Sequence, residues 1–487
     1  MDPIFFKLLT FIFWINAIIA VSVIIIAIIL DNRSPQSSIS WIMILIFFPI
    51  VGLIFFLLIG INWKKTKLTK QSPDIIFAKR LKSILKNQKY FLSEISISDE
   101  NESDKYKLMN LLLNSNSSII TNHNKCKIYN TGENFFEDLF RELKNAKSSI
   151  HMEFFIWTSD SLGEEIKNIL VQKAKEGVEV RIIFDGFGSF GRISYKYRNA
   201  LKQAGIEYKY YLDLVAPFSI IKINYSNHRK IVVIDGKIAY TGGMNIGSEY
   251  ITGGKRFESW RDTQVKLIGE SVMLIQTVFL VDWYNSGNKL LFDDKYFPQN
   301  SDTMPEMQIQ VATSGADSEW DSIHQMYFTM ITNANNEIYI QTPYFIPDES
   351  IMSALETAAL SGISVNIIMT GVPDKNIPFW AAHTYFKPLL KAGVNIFLYK
   401  KGFMHSKVVV IDGNIVSLGT CNFDIRSFHI NYEINTLIYD SNLASEMIEY
   451  FYNDLRYCET ISKEYLENIN IFKNFRNSAI RMLSPIM

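Results

Sequence analysis

Two stretches of the chain follow one plan. They are Asn227-His228-Arg229-Lys230-Ile231-Val232-Val233-Ile234-Asp235-Gly236 and Met404-His405-Ser406-Lys407-Val408-Val409-Val410-Ile411-Asp412-Gly413. In each, His and Lys stand two positions apart, so on a strand both side chains leave by the same face. The apolar run after the Lys continues as a core strand, and Asp-Gly closes a tight turn. A step of small residues then precedes an asparagine in both, Gly242-Gly243-Met244-Asn245 and Gly419-Thr420-Cys421-Asn422. Other pairs recur in the same order. Asn145–Glu153 and Asn333–Gln341 read as helix ends running into strands. Gly177–Phe184 and Gly362–Met369 read as helix-ending glycines followed by buried strands, and Ala204-Gly205 and Ala392-Gly393 mark a further corner. One match is within reach of chance; an ordered series implies a duplicated unit. The expected fold is α/β: two pseudo-symmetric units of mixed sheet flanked by helices, residues 112–300 and 301–487, packed face to face with one site between them.

The amino terminus is of another kind. Leu8–Leu30 and Ser40–Ile61 are apolar almost throughout, each close to the roughly 20 residues that cross a bilayer's hydrocarbon core. Neither carries a polar stripe, and no small-x-small cleavage site follows the first. A transmembrane hairpin over residues 1–63 is therefore expected, with spans at about 8–30 and 40–61 and a polar turn at Asp31–Ser38. Lys64, Lys65, Lys67 and Lys70 follow the second span, whereas the turn offers only Arg33 against Asp31. The positive-inside rule then predicts a multi-pass protein of the cell membrane with its bulk in the cytoplasm. Residues 64–111 read as a basic linker. Its Lys79–Lys86 stretch suits either an anionic leaflet or a solvated linker helix.

Lys+Arg and Asp+Glu are equal at 49 each, a balance that speaks against a nucleic-acid partner. The three cysteines, Cys126, Cys421 and Cys458, lie far apart, so neither a zinc site nor a disulfide framework is expected.

The paired residues suit a phosphodiester. Two lysines supply compact positive charge and two asparagines supply neutral donors, enough to cradle one phosphate. One imidazole can attack phosphorus while the other protonates the leaving oxygen, then serves as base toward the incoming alcohol. The lysines bring the charge a cation would otherwise bring, so no metal and no cofactor are expected. Two His-x-Lys motifs with Asp at the same offset resemble the HxKxxxxD signature of the phospholipase D superfamily, and the resemblance covers essentially the whole chain. The paired apolar runs joined by Asn32–Ser37, with Ser259-Trp260-Arg261-Asp262, resemble bacterial cardiolipin synthases in particular.

The resemblance implies a candidate catalytic set of His228, Lys230, Asp235, His405, Lys407 and Asp412, with Asn245 and Asn422 on the phosphate. Asp262 and Glu433 would orient the histidines, and Asp235 and Asp412 would hold turns rather than touch phosphate. It also implies phosphatidyl transfer from one phosphatidylglycerol to another through a phosphohistidine, giving cardiolipin and glycerol. His228 is taken as nucleophile and His405 as acid/base, with the reverse assignment open. Hydrolysis by water and nuclease action are the rival reactions, and a non-catalytic membrane scaffold is the rival from another class. The partners implied are phosphatidylglycerol and the bilayer. One chain supplies a complete site, and the oligomeric state is left open. Two apolar stretches, Leu214–Ile221 and Ile377–Ala382, stand where polar loops are usual; they suit either lipid contact or ordinary packing. His123, His151, His324, His383 and His429 are isolated in sequence and carry no assignment.

Overall fold

The computed structural model describes residues 3–30, 35–60, 82–95, 103–212, 224–287, 290–291, 293–298, 304–462, 464 and 470–482. The amino-terminal helices form a compact unit of their own. Helix Pro3–Leu30 is apolar on every side and exposes most of its large side chains. Among the described residues it is the one helix long and apolar enough to cross a membrane. The second apolar run is divided rather than continuous. Helix Pro35–Phe47 stops at Phe48, whose backbone leaves the helical region, and Pro49 starts a new helix, Pro49–Phe55. Proline lacks the N–H that would continue the ladder and crowds the preceding turn. Ile28 of the first run packs with Leu45 and Phe56 of the second. The turn at 31–34 and the lysines at 64–70 lie outside the described residues.

The remainder repeats a common strand order, with additional strands in the second half. The first half holds β1 (Thr121–Tyr129), β2 (Ser149–Phe154), β3 (Glu179–Asp185), β4 (Glu207–Tyr211), β5 (Lys230–Ile234), β6 (Ile238–Gly242), β7 (Trp260–Arg261) and β8 (Gln264–Gly269). The second holds β9 (Glu306–Ser314), β10 (Glu337–Thr342), β11 (Phe345–Ile346), β12 (Ser364–Thr370), β13 (Asn395–Tyr399), β14 (Phe403–Met404), β15 (Val408–Ile411), β16 (Ile415–Gly419), β17 (Phe423–Asp424), β18 (Glu433–Tyr439) and β19 (Cys458–Thr460). The first sheet runs β1-β8-β6-β5-β2-β3-β4 and the second β9-β18-β16-β15-β10-β12-β13-β19. In both, parallel strands follow the crossover helices and antiparallel strands follow the hairpins. The sheets join edge to edge through β1 and β9, with a register irregularity between Thr121 and His123. The repeat pattern alone did not predict this junction.

The motif strands read as unbroken apolar runs because β2, β5 and β15 are buried along their whole length. The corners behave as their glycines require. Gly177 and Gly362 adopt φ of 91° and 95°, a left-handed conformation that releases each helix toward its strand. The expected domain boundary at 112 falls inside helix Ser103–Ser115, whose Leu108, Met109, Leu112 and Leu113 are buried. The preceding helix, Lys82–Ile95, also belongs to this body. Its Gln88 accepts from the Ile120 N–H at 2.8 Å and donates to the Ile120 carbonyl at 2.7 Å, and its Leu92 is buried.

Candidate active site

Each motif histidine is clamped by backbone to the opposite half. The His228 N–H donates to the Tyr432 carbonyl at 2.8 Å, and the Tyr432 N–H donates to the Ser226 carbonyl at 2.9 Å. In the mirror arrangement the His405 N–H donates to the Arg261 carbonyl at 2.7 Å, where β14 lies parallel to β7. In both cases the accepting residue stands immediately before an acid. The clamp thereby delivers Glu433 to His228, with Nδ1 3.0 Å from Oε1, and Asp262 to His405, with Nδ1 2.6 Å from Oδ2. The resemblance supplied both acids as histidine partners; the structure adds that each serves the histidine of the other half.

A carboxylate only accepts, so each Nδ1 carries the proton and each Nε2 keeps its lone pair for the site. Burial, helped by Lys230 and Lys407, lowers both histidines to about 4, although Glu433 and Asp262 pull the other way. Burial would raise the two acids, but the facing histidine and lysine charges hold both below their ordinary values. Lys230 and Lys407 are buried too. Desolvation lowers them to about 7 and about 8, and each donates through Nζ to the carbonyl of its own histidine. Because burial disfavours the charged forms of all four basic groups, an anion bound among them restores those forms.

The asparagines flank this group on pseudo-equivalent positions. Asn245 accepts from the Ile156 N–H at 3.0 Å and donates to the Tyr250 hydroxyl at 2.5 Å. Asn422 is 5 % exposed, and among the described residues its Oδ1 has no hydrogen-bond partner. The small-residue step is explained by its acid: a Cβ on Gly243 would come within 2.0 Å of Asp262 Oδ1.

Asp235 and Asp412 stand apart from this group. Both sit at positive φ in the hairpin turns, 55° and 51°. Asp235 accepts from the backbone N–H groups of Lys147, Ser148 and Ser149, and Asp412 from those of Asn335, Asn336 and Glu337. They tie a helix-to-strand corner to the motif hairpin, the turn-holding part, so the geometry gives no support for counting them in the catalytic set.

Sequence reading missed the buried charges behind the site. Arg229 pairs with Asp282 at 2.5 Å and donates to the Glu433 carbonyl at 3.2 Å. Arg261 reaches across the halves to Asp454 at 2.8 Å and donates to Ser406 Oγ at 3.1 Å. Asp185 accepts from the backbone N–H groups of Phe187, Gly188 and Asn227, and burial raises it to about 7. Arg229 beside His228 and Arg261 beside Asp262 were the available signals. Of the apolar stretches, Leu214–Ile221 lies outside the described residues. Ile377–Ala382 starts helix Asn376–Ala392 rather than forming a loop; Ile377 is exposed, while Trp380 is covered by Arg476.

A family model described as cardiolipin synthase, phospholipase D-like domain, matches at residues 139–259 and again at 327–455, one match on each half. Over nearly the whole chain the sequence is 38 % identical to a cardiolipin synthase of Halalkalibacterium halodurans, covering 97 % of this chain and 93 % of that one. The chain belongs to the cardiolipin synthase family. A cardiolipin synthase of Clostridium perfringens (strain SM101 / Type A) is 39 % identical, with 94 % and 96 % covered. A second family model, described as phospholipase D-nuclease N-terminal, matches residues 17–60. Among solved structures, a phosphatidylserine synthase of Haemophilus influenzae Rd KW20 superposes with a TM-score of 0.60 at 16 % identity, over 78 % of this chain and all of that one. That likeness concerns the fold of the family's catalytic body.

Proposed function

We propose that this enzyme makes cardiolipin by moving a phosphatidyl group from one phosphatidylglycerol to the hydroxyl of a second, with a phosphohistidine between the two steps. The carrying observation is the crosswise pair: two buried imidazoles, each with its Nδ1 proton held by the other half's carboxylate and its Nε2 free. Two imidazoles prepared alike, with two lysines beside them, suit a reaction that runs once in each direction across one phosphorus. In the first half-reaction His228 Nε2 attacks phosphorus as the P–O bond to glycerol breaks, and His405 gives that oxygen its proton. In the second, the headgroup hydroxyl of another phosphatidylglycerol loses its proton to His405 and displaces His228. Atoms balance with glycerol as the released product. The bound phosphodiester anion favours the protonated form of His405, which supplies the acid that the empty site lacks.

The two halves face one another across this site, as the crosswise pairs support. The described packing of Ile28 with Leu45 and Phe56 supports a membrane hairpin at 1–63, interrupted at Pro49. An exposed apolar helix is compatible with lipid, and the positive-inside rule sets the catalytic body in the cytoplasm at the cell membrane. The second unit proposed is 301–487, and the first ends at 300 but starts ahead of 112, because helices Lys82–Ile95 and Ser103–Ser115 pack on the catalytic body.

Purified protein given labelled phosphatidylglycerol as sole lipid tests this. Cardiolipin with an equal amount of glycerol is expected, lost in both His228→Ala and His405→Ala. Phosphatidic acid as sole lipid product would make the enzyme a hydrolase and overturn the reading.

A further inference from the structure

Away from His228 and His405, three side chains far apart in sequence converge. His324 lies on helix Ser322–Thr332. Asp348 caps helix Glu349–Leu360, and His429 ends the short helix Ile425–His429. Parallel pairing of β11 with β17 brings the last two together. His324 Nε2 is 2.8 Å and His429 Nε2 3.3 Å from the same oxygen, Asp348 Oδ2. One donor atom from each of the three residues lies within 4.8 Å of the other two.

The hydrogen positions this arrangement demands are informative. His429 also turns Nδ1 to Asp321 Oδ2 at 2.8 Å. A carboxylate only accepts, and a neutral imidazole has one N–H. The Asp321 bond therefore places that hydrogen on Nδ1 and aims the Nε2 lone pair at Asp348 Oδ2, an acceptor facing an acceptor. A second proton on the ring resolves the conflict, and so does a cation between the two atoms. The carboxylate behind the ring is the partner usually found behind a metal-bound histidine. Asp348 is divided in the same sense. Its Oδ1 caps the helix, accepting from the Ile351 N–H at 3.0 Å and Ser350 Oγ at 2.8 Å, which leaves Oδ2 for the cluster. The side chains of His324, Asp348 and His429 are partly exposed, at 15 %, 23 % and 30 %, so an ion has a way in.

We propose that His324 Nε2, His429 Nε2 and Asp348 Oδ2 bind one divalent transition metal of the zinc class, with Asp321 fixing the His429 ring. Two imidazoles and one carboxylate suit zinc, and three protein ligands leave a fourth position for water. The ion links the helix after β9, the cap after β11 and the helix after β17. The last of these lies between Asn422 and Glu433, so the ion steadies the segment that presents Glu433 to His228.

The test uses the full chain without a histidine tag, in detergent, stripped with chelator and titrated with Zn²⁺ alone by calorimetry. One ion per chain is expected. Binding should be lost in His324→Gln and in His429→Gln and kept in His123→Gln, a histidine outside the cluster. Asp321→Asn, which leaves every ligand in place, should weaken affinity about 10- to 100-fold. Zn²⁺ should raise the unfolding midpoint of the parent and of His123→Gln but not of the two ligand variants. Absence of Zn²⁺ binding in the folded parent overturns the proposal, as does unchanged stoichiometry in either ligand variant. The cluster would then be an imidazolium–carboxylate network only.

Discussion

Replacing Glu433 by Gln separates the roles of the two histidines. The carboxylate takes the His228 Nδ1 proton at 3.0 Å, the Thr420 hydroxyl at 2.5 Å and the Asn431 amide at 3.2 Å. Loss of one charge-assisted bond to a buried ring costs about 1.5–3 kcal/mol, and at about 1.36 kcal/mol per decade that slows turnover about 10- to 150-fold. A glutamine amide facing Nδ1 also donates rather than accepts, which moves the ring proton to Nε2 and blocks the attacking lone pair. Tautomer inversion of this kind brings the total to about 10³–10⁴-fold. Rapid quench with labelled substrate reads both half-reactions. With His228 as nucleophile, Glu433→Gln forms no covalent phosphoenzyme. Asp262→Asn leaves the His228 nucleophile intact and weakens His405 in both proton transfers, so phosphoenzyme still forms, more slowly, and persists longer. Accumulation in Glu433→Gln instead would reverse the roles. Equal, mild losses of less than about tenfold in both folded variants would refute the idea that the acids set the tautomers.

Three further outcomes follow from the same geometry. The two histidines sit at about 4 when folded against an ordinary 6.5, so between those values the unfolded chain binds more protons. Stability on their account is whole above about 6.5 and declines toward 4; thermal unfolding across this window should show a shallower slope in the His228→Ala/His405→Ala double variant. Asp412→Ala removes the acceptor of three backbone N–H groups and should lower stability by about 2–4 kcal/mol, while activity per folded molecule stays within about threefold of the parent. Denaturant titration alongside the lipid assay separates the two effects. Gly243→Ala drives a methyl into Asp262 Oδ1, so it should fold yet lose phosphatidyl transfer at least 100-fold, read by turnover against circular dichroism.

The candidate site residues stood out because their pattern occurs twice. One His-x-Lys on a strand says little, whereas His228/Lys230 and His405/Lys407 with Asn245 and Asn422 at one offset specify chemistry. The crosswise delivery was not legible, since it depends on the backbone clamps at Tyr432 and Arg261, which form only when the halves meet. The edge-to-edge junction of β1 with β9 was hidden for the same reason. The break at Pro49 was different: proline stood inside an apolar run in plain view, and hydropathy outweighed it. His324, Asp348 and His429 looked isolated because three separate elements bring them together. The first part of helix Ser103–Ser115 was assigned to the linker, although its Leu108 and Met109 enter the core.

The exchange of acids between halves bears on how the protein is made. His228 leaves the ribosome long before Glu433, and Asp262 long before His405. Through most of synthesis, each exposed histidine or acid lacks the group that prepares it for phosphorus chemistry. On the proposed reaction, the order of translation would keep a nascent chain chemically silent until the segment carrying His405 and Glu433 has emerged and met the first half.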